Sequence, residues 1–588
     1  MGKYFSKNYY PLFPLKPGYK LPRVLYLSSI TQGDNIRLCL IDDFQNHYFT
    51  PKELTNYLDS LDNNHWIITY YSDFIPGLFP DLLKKFLVSS YGDLNLVYLE
   101  NNRGRKHTLI SLFYFFVKPL ATIYSDIGLN TGYTKPILES NKEIDDYLFY
   151  NAWAFQIIYE SFQNVFIELF DTTPAKSPGA TSVKSWRRTL KKPIYPKGKQ
   201  IQAFCFDSIH PPALHWKTGI YPDAYQYDIN ASYPAAMKGP YPTRVTAFYG
   251  SPKRDYFIAR VNIDYTCDKQ FSPLPVRLSS GKIIHPAKTK NLETILTHID
   301  ILTLSAHGVL TINKFIEGIE WGENDQEPIF RDFINTIEKY ILEHPEYKNL
   351  LKVTTRALHS KFAQKADFTL YELRAVKPDF IAKNDNIRDI YPIDDETIAA
   401  LIMTKPEPIF KPYIMPEYET LTLAMGRYMV YSGMDDNTIY IDTDGIISSR
   451  PRPDLPINDK FGAWKLQKTG PAFVIGPRQY SIGGIVKLSG IRLVDNYQLA
   501  REAVKDIAID GKTQELTATE YPNIKSMANT INRRLHTLSM QNYPYSEITG
   551  SQATVINSPE SKHSIYKYPR RLTADSNILQ YLRDKVKP

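Results

Sequence analysis

The sequence predicts a multi-domain protein of mixed α and β structure, and three observations support this fold class. A chain of 588 residues is too long for a single hydrophobic core. Between Val24 and Thr173, short apolar runs alternate with helix-like stretches, which is the rhythm of an α/β domain. No apolar run reaches the roughly 18 residues of a membrane span, so no membrane partner is expected.

The composition is that of an ordinary folded protein, with 43% hydrophobic and 22% charged residues. Lys and Arg number 70 against 62 Asp and Glu, and the net charge of +8 favours polyanionic partners without proving one. Cys39, Cys205 and Cys267 are too few and too widely spaced for a disulfide framework or a cysteine-based zinc site. We therefore expect a reducing compartment.

The N-terminal part begins with a basic arm rich in Tyr and Pro. The α/β domain that follows has expected strands at Val24–Leu27 and Trp66–Thr69 and expected helices at Phe79–Val88 and Tyr147–Phe162. A basic linker comes next, in which cations stand among Ser, Pro and Gly without apolar periodicity: Lys184, Arg187, Arg188, Lys191, Lys192 and Lys197. A solvated tether and a strand that touches nucleic-acid backbone are equally compatible with this pattern.

Beyond Gln226 the pattern mixes strands and helices. Strands are expected at Val245–Tyr249 and Tyr256–Ile263, and a long helical region from Ile329 to Ala363. Pro345 should divide that region into two helices, because proline removes a backbone donor and clashes with the preceding turn.

Two acidic segments are candidates for chemistry. Asp228 ends an apparent strand, with Tyr233 five residues later, and Asp442 and Asp444 stand two residues apart between strands expected at Thr438–Ile441 and Ile446–Ile447. An Asp-Gly turn alone is more often simply a polar turn. Phosphoryl transfer would explain both segments, because two Mg²⁺ ions about 4 Å apart require carboxylates from separate strands.

A third segment carries cations on one face of an expected helix. The residues follow the spacing i, i+4, i+8, i+11 and i+12: Lys348, Lys352, Arg356, His359 and Ser360. Such a face can bind a triphosphate, although a cationic helix face is more often merely solvated.

Together the three segments resemble motifs A, B and C of family B DNA polymerases, in the family's order. Asp228–Pro234 resembles motif A, Lys352–Ala363 motif B and Tyr440–Gly445 motif C. The most similar subgroup is the protein-primed one of phages, linear plasmids and some viruses. Two further segments are similar to that subgroup: Arg478-Gln479-Tyr480 to its Lys-x-Tyr motif, and Val486–Gly490 to the start of its thumb.

The resemblance implies roles for these residues. Asp228 and Asp444 would be direct ligands of two Mg²⁺ ions, for which Mn²⁺ can substitute, with Asp442 a weaker or supporting ligand. Tyr233 would stack under the incoming sugar and exclude a 2′-hydroxyl, and Lys352 would hold the triphosphate and protonate the leaving pyrophosphate. The nucleotide site would also include Lys348, Arg356 and His359, and the primer site would include Arg478, Tyr480 and Lys487.

Motif B departs from the family at three positions. Arg356 stands where Asn is usual, His359 where Tyr is usual and Ser360 where Gly is usual. Since these residues bear on base-pair checking, we expect lower fidelity or an unusual nucleotide preference. Misincorporation by wild type and His359→Tyr would test this, and unchanged error rates would count against it.

The N-terminal domain resembles the family's 3′–5′ exonuclease but lacks the acids of its three motifs. The positions where those acids or their partner Asn belong hold Ser28, Ile30, Tyr71, Ile75 and Ala154. A site without these carboxylates cannot bind two Mg²⁺ ions, so we expect no proofreading.

The expected architecture is a right hand of palm, fingers and thumb, preceded by a ribonuclease-H-like exonuclease-type domain. The expected units are the arm (1–22), the degenerate exonuclease-like domain (23–175), the basic linker (176–226), the palm (227–250 and 416–485), a terminal-protein-region-1-like insertion (251–330), the fingers (331–368), a terminal-protein-region-2-like insertion (369–415), and the thumb with its extension (486–588).

The resemblance predicts template-directed DNA synthesis from dNTPs on a DNA template-primer, with a terminal protein as primer and the enzyme as a monomer. A viral or plasmid replication site or the cytoplasm is the expected location, and a mitochondrial one stays open. Two alternatives remain: a noncatalytic nucleic-acid-binding scaffold descended from a polymerase, and a polymerase that starts without a terminal protein. Metal-dependent nucleotide incorporation separates the first alternative from an active enzyme.

Overall fold

The computed structural model describes most of the chain up to residue 488 and three isolated strands beyond it. The described ranges are 12–70, 86–134, 140–277, 283–364, 369–376, 387–392, 398–403 and 414–488, with short gaps at 33–34, 43–44, 92–93, 101–103 and 117–118. The strands beyond are β26 (Gln514–Ala518), β27 (Ser551–Ile556) and β28 (Ile565–Lys567), which pair in that order. Within these ranges, no helix has the length and apolarity to cross a membrane.

The N-terminal unit is a sheet with helices beside it. Its elements are β1 (Val24–Gln32), β2 (Asn35–Asp42), β3 (Gln45–Phe49), α1 (Pro51–Ser60), β4 (Trp66–Thr69), β5 (Phe86–Tyr91), β6 (Leu94–Glu100), β7 (Lys106–Ser111), α2 (Phe113–Phe116), α3 (Leu120–Asp126) and α4 (Asn141–Phe170). Strands β1, β4 and β7 are parallel neighbours, and β1, β2 and β3 form antiparallel pairs. This unit has the α/β character that the sequence predicts, although Phe86–Val88 lies in a strand rather than in the expected helix. Residues 79–85 of that expected helix lie outside the described residues.

Helix α4 is longer than the expected Tyr147–Phe162 because strong signals define both its ends. Ser140 and Glu143 form a capping box at the start, in which each side chain bonds the other residue's backbone N–H. Asp171 ends the helix in the left-handed conformation, with φ 47°. The face between them is largely apolar and packs on β1, β2 and β4.

The segment expected to be a basic linker is instead mostly folded and buried. It contains α5 (Pro178–Thr189) and α6 (Lys199–Asp207), and Ser177 caps α5 by accepting from the Ala180 N–H. The Trp186 side chain is fully buried and donates to the Ile329 carbonyl over 2.9 Å. Three of the cations bond backbone carbonyls: Lys184 donates to the Thr173 carbonyl, Arg187 to the Phe13 carbonyl and Lys197 to the Thr243 carbonyl. Lys191 and Lys192 are exposed. The solvated-tether interpretation is therefore wrong for this segment.

The central unit is a seven-stranded antiparallel sheet, the palm sheet, with strand order β25-β24-β23-β9-β22-β21-β8. Its strands are β8 (Ala213–Trp216), β9 (Gly219–Ile229), β21 (Thr438–Thr443), β22 (Gly445–Ser448), β23 (Trp464–Gly476), β24 (Gln479–Ile482) and β25 (Ile485–Leu488). Helices α7 (Ser232–Ala236) and α11 (Pro416–Ser432) lie against each other next to it. Both acidic segments belong to this sheet, as the sequence predicts.

The insertion after motif A is a second antiparallel sheet with order β11-β16-β12-β15. It comprises β11 (Thr246–Tyr249), β12 (Tyr256–Cys267), β15 (Lys288–Thr297), α8 (His298–Ala306) and β16 (Gly308–Trp321), with the short pairs β10 (Tyr241–Pro242) and β17 (Gln326–Glu327), and β13 (Val276–Arg277) and β14 (Ile283–Ile284). Both strands expected from the sequence, β11 and β12, are present. A buried ion pair between Arg427 of α11 and Asp300 of α8 joins this insertion to the palm helix.

The fingers are two helices, α9 (Arg331–Glu343) and α10 (Lys348–Phe362). Pro345 lies between them, as expected from its effect on helices. Helix α10 packs on α5, and the Ser182 hydroxyl donates to the Thr354 carbonyl across that contact.

The insertion after the fingers extends the N-terminal sheet. Its strands are β18 (Thr369–Val376), β19 (Ile387–Pro392) and β20 (Ile398–Met403). Strand β18 pairs antiparallel with β5, with Tyr371 opposite Val88. The sheet therefore has ten strands in the order β19-β20-β18-β5-β6-β7-β4-β1-β2-β3, and nothing in the local sequence predicts this pairing.

Candidate active site

The acids of motif C lie at a tight turn between β21 and β22. Asp442 is paired with Gly445, and Thr443 adopts a left-handed conformation with φ 64°. The Asp444 N–H donates to the Asp442 carbonyl over 2.8 Å, and the Asp444 carbonyl accepts from the Ile229 N–H over 2.8 Å. The second bond fastens the turn to the end of β9, so Asp444 is held next to motif A.

Asp228 and Asp442 lie in one row across the palm sheet. Asp442 is opposite Gly445, and Gly445 is opposite Asp228. Residues directly opposite each other on neighbouring strands point to the same face. Gly445 keeps the space between the two acids open, since an added Cβ would lie 3.2 Å from Asp228 Oδ1.

The surroundings of Asp228 and Asp444 disfavour the ionised form of both carboxyl groups. Burial raises the Asp228 pKa to about 6, against the opposing effect of the Lys352 ammonium. Burial, followed by the Asp228 charge, raises the Asp444 pKa to about 7. A divalent cation would offset both effects, and carboxylate oxygens are the ligands that Mg²⁺ prefers. The donor set therefore fits the expected metal.

Asp442 is in a different environment, because protein cations already balance its charge. Its carboxylate accepts from Arg478 Nε over 3.3 Å and from Lys487 Nζ over 3.1 Å. The described residues include no group of three or more His, Cys, Asp or Glu side chains arranged to hold a metal. Asp228 and Asp444 would supply two protein ligands, so water and substrate oxygens would complete the coordination.

Lys352 of α10 reaches the palm. Its ammonium donates to the Asn230 side-chain oxygen, and the Asn230 amide in turn donates to the Asp459 and Lys460 carbonyls. Burial, followed by the Lys348 and Lys465 charges, lowers the Lys352 pKa to about 8. Asn230 is a functional residue that the sequence analysis did not select, although it stands two residues after Asp228.

The Tyr233 ring packs against His359, which is itself held by Glu419. Its ring centroid lies 4.5 Å from that of His359, and His359 Nδ1 bonds Glu419 Oε2 over 2.6 Å. Gly426 of α11 lies against the same ring, where an added Cβ would be 3.1 Å from a Tyr233 ring carbon. Glu419 was not found from the sequence, because α11 carries no motif signal that links it to Tyr233.

The other expected site residues lie around this centre. Arg356 is exposed on α10, and its charge acts on both Asp444 and Tyr233. The Tyr480 ring lies 4.9 Å from the Tyr440 ring and 5.6 Å from Lys487 Nζ. Arg478 adopts a left-handed conformation with φ 58°, and its N–H donates to the Tyr440 hydroxyl. The structure thus brings motifs A, B and C and the Lys-x-Tyr-like segment to one place.

The expected exonuclease positions that are described are occupied by packed, uncharged side chains. Ser28 is buried and donates to the Leu148 carbonyl. Ala154 of α4 is fully buried in the hydrophobic core. Ile30 packs against the same core. Tyr71 and Ile75 lie outside the described residues.

Comparison with known proteins shows which family and which solved structures the chain is similar to. Residues 156–407 match the model of the family described as DNA polymerase type B, organellar and viral. The solved structure of phi29 DNA polymerase with primer-template DNA and incoming nucleotide matches with a TM-score of 0.63 and 15% identity, over 82% of this chain and 94% of that one. The orthorhombic crystal form of phi29 DNA polymerase matches with a TM-score of 0.60 and 15% identity, over 80% and 90%. A comparison with curated proteins finds no match.

The fold and the convergence of acids and lysine on the palm sheet define a right-hand polymerase preceded by an exonuclease-like N-terminal region, which confirms the expected fold class. At 15% identity the likeness to phi29 DNA polymerase shows the fold alone. The sequence evidence comes from residues 156–407, which are similar to type B DNA polymerases of the organellar and viral kind, and together with the fold it indicates a DNA-directed DNA polymerase.

Proposed function

We propose that the chain extends a DNA primer on a template by a two-metal mechanism centred on Asp228 and Asp444. The observation that carries this proposal is the placement of these two half-buried acids next to each other, with Lys352 near Asp228, on three segments far apart in sequence. Two Mg²⁺ ions supply activation of the primer 3′-oxygen and charge stabilisation at the leaving oxygen when bound. Asp442 supports the site through Arg478 and Lys487.

The other site residues orient the nucleotide and move a proton. Lys352, with Lys348 and Arg356, binds the triphosphate, and the Lys352 ammonium protonates the departing pyrophosphate. Its pKa of about 8 keeps this proton available at neutral pH and easy to transfer. Tyr233, backed by His359, lies under the incoming sugar. Arg478, Tyr480 and Lys487 hold the primer terminus.

We also propose that priming uses a terminal protein and that proofreading is absent. The solved phi29 polymerase complexes hold primer-template DNA, single-stranded DNA and incoming nucleotide, and the similarity extends over 94% of the ternary-complex chain. The sheet of β11, β12, β15 and β16 is inserted between motifs A and B, where the resemblance leads us to expect contact with a priming protein. Packing of Ser28 and Ala154 leaves no carboxylate at those exonuclease positions. A viral or organellar replication site agrees with the family description, and we propose that the enzyme acts there as a monomer.

Primer extension on a defined template tests the central proposal. Wild type and Asp444→Ala are compared with Mg²⁺ or Mn²⁺ and dNTPs, and primer shortening is followed when nucleotides are left out. We expect templated incorporation that drops by at least about a thousandfold in the variant, and no shortening. Undiminished incorporation by Asp444→Ala would refute the site assignment, and primer shortening would refute the absence of proofreading. A requirement for added terminal protein on primer-free template would support protein priming.

A further inference from the structure

Lys465 is a cation at the centre of the site that no recognised motif contains. It lies on β23 directly opposite Asp228 of β9, so the row across the palm sheet reads Asp442, Gly445, Asp228, Lys465. Opposed residues share a face, and this places the Lys465 side chain on the face that carries the acids. The side chain is exposed, and no carboxylate of the described residues forms an ion pair with it.

Lys465 also lies close to the lysines of the fingers. Its charge is among those that lower the Lys352 pKa, together with that of Lys348, and it is among those that oppose the raised Asp228 pKa. Two further ammonium groups, one from α10 and one from β23, therefore lie near that of Lys352. Mutual repulsion makes such a cluster unfavourable by itself, and a polyanion would relieve it.

We propose that Lys465 is a third cation for the phosphates of the incoming nucleotide and for the pyrophosphate product. The proposal rests on the function assigned to Asp228, Asp444 and Lys352 above. Lys465 approaches from the palm, whereas Lys348 and Lys352 approach from the fingers, so the phosphate chain is held between the two subdomains. The alternative role is simple neutralisation of Asp228, which involves no contact with phosphate.

Binding measurements on a dideoxy-terminated primer-template separate the two roles, because they report nucleotide affinity without turnover. Lys465→Met removes the charge but keeps the length of the side chain, and Lys465→Arg keeps the charge. Lys217→Met is the matched control, since Lys217 is an exposed lysine just before β9, at the end of that strand away from Asp228. We expect the dNTP dissociation constant and the inhibition constant of pyrophosphate to rise by about tenfold in Lys465→Met. Lys465→Arg should remain within about threefold of wild type, and Lys217→Met should be unchanged.

The proposal is overturned if Lys465→Met, with an unchanged melting temperature, binds dNTP and pyrophosphate as wild type does. An equal loss of affinity in Lys217→Met would overturn it too, because the effect would then be one of general charge. Asp444→Ala is assayed in parallel for incorporation. Full activity in that variant would refute the assigned site as a whole, whereas an inactive Asp444→Ala with normal binding by Lys465→Met would refute only the role of Lys465.

Discussion

Ionisation of the Asp228 and Asp444 carboxyl groups lowers the stability of the folded protein in the absence of metal. Their pKa values are raised to about 6 and about 7, which means that the folded state holds these protons more tightly than the unfolded state does. The corresponding stability is present below about pH 4 and is lost as the pH rises through about 6 and 7. A cation at the site should remove most of this loss.

This electrostatic cost predicts how stability depends on pH and Mg²⁺. Between about pH 5 and pH 8, metal-free wild type should lose roughly 2–4 kcal/mol relative to Asp444→Asn, in which one of the two charges is absent. Mg²⁺ should restore wild type at pH 8 and have little effect on the variant. Chemical denaturation of both proteins with and without Mg²⁺ measures this. Parallel pH profiles for the two proteins would show that the acids do not repel as described.

The pair His359 and Glu419 should control the sugar selectivity of Tyr233. Glu419→Ala removes the carboxylate that fixes the His359 ring, so the Tyr233 ring loses a fixed packing partner. The preference for dNTP over rNTP should then fall by about tenfold. Glu419→Gln keeps an acceptor and should retain most of the preference. Single-turnover incorporation of matched dNTP and rNTP gives the ratio, with Tyr233→Ala as the upper limit of the loss. A folded Glu419→Ala enzyme with wild-type selectivity would contradict this role.

At the scale of elements, the part of the site that sequence could predict is the part built from local patterns. Asp228, Asp442 and Asp444 stand at strand ends, and Lys352 follows a helical spacing, so each is visible within a short window. Asn230, Glu419 and Lys465 gain their roles through contacts with residues at least 60 positions away, or through strand register. Those contacts depend on tertiary packing, which a local pattern does not contain.

Helix α5 shows why a local pattern can also mislead. Its Lys and Arg residues predict exposure, but their ammonium and guanidinium groups bond backbone carbonyls while Val183 and Trp186 fill the core. The Ser177-Pro178 start and the i, i+3 spacing of Val183 and Trp186 were the available helix signals. The basic residues of the segment predicted a linker in spite of these helix signals.

The packing of α5 on the fingers predicts a large effect at Trp186. Its ring lies 5.0 Å from that of Phe330 and 5.3 Å from that of Phe362, the last residue of α10. Trp186→Ala should reduce the free energy of unfolding by about 3–5 kcal/mol and should weaken dNTP binding, because Lys352 lies on the same helix. Chemical denaturation and nucleotide titration measure the two effects. Substitution of the exposed Tyr195, also to alanine, is the control and should change stability little.

At the scale of the whole molecule, the N-terminal unit and the polymerase unit share one hydrophobic core. The same buried cluster contains Phe155 and Phe170 of α4, Trp186 of α5, and Phe333 and Leu358 of the fingers. The Phe170 and Phe333 rings lie 5.2 Å apart across the junction. The N-terminal unit therefore has a structural reason to be retained, because the fingers pack on it.

The ten-stranded sheet extends this coupling to the second insertion. Since β18 pairs with β5, the N-terminal unit carries the terminal-protein-region-2-like insertion, for which the resemblance predicts a role in strand displacement. Replacement of residues 369–403 by a short Gly/Ser linker should leave extension on a single-stranded template within about threefold of wild type, because the described acids and Lys352 lie elsewhere. Extension through a downstream duplex should fall by more than about tenfold, since no element would separate the strands.

The two templates are compared in one gel assay at equal enzyme concentration, and the single-stranded template is the control for folding. Equal losses on both templates would show that the insertion supports the polymerase core itself, and equal retention would show that strand displacement comes from another part of the chain.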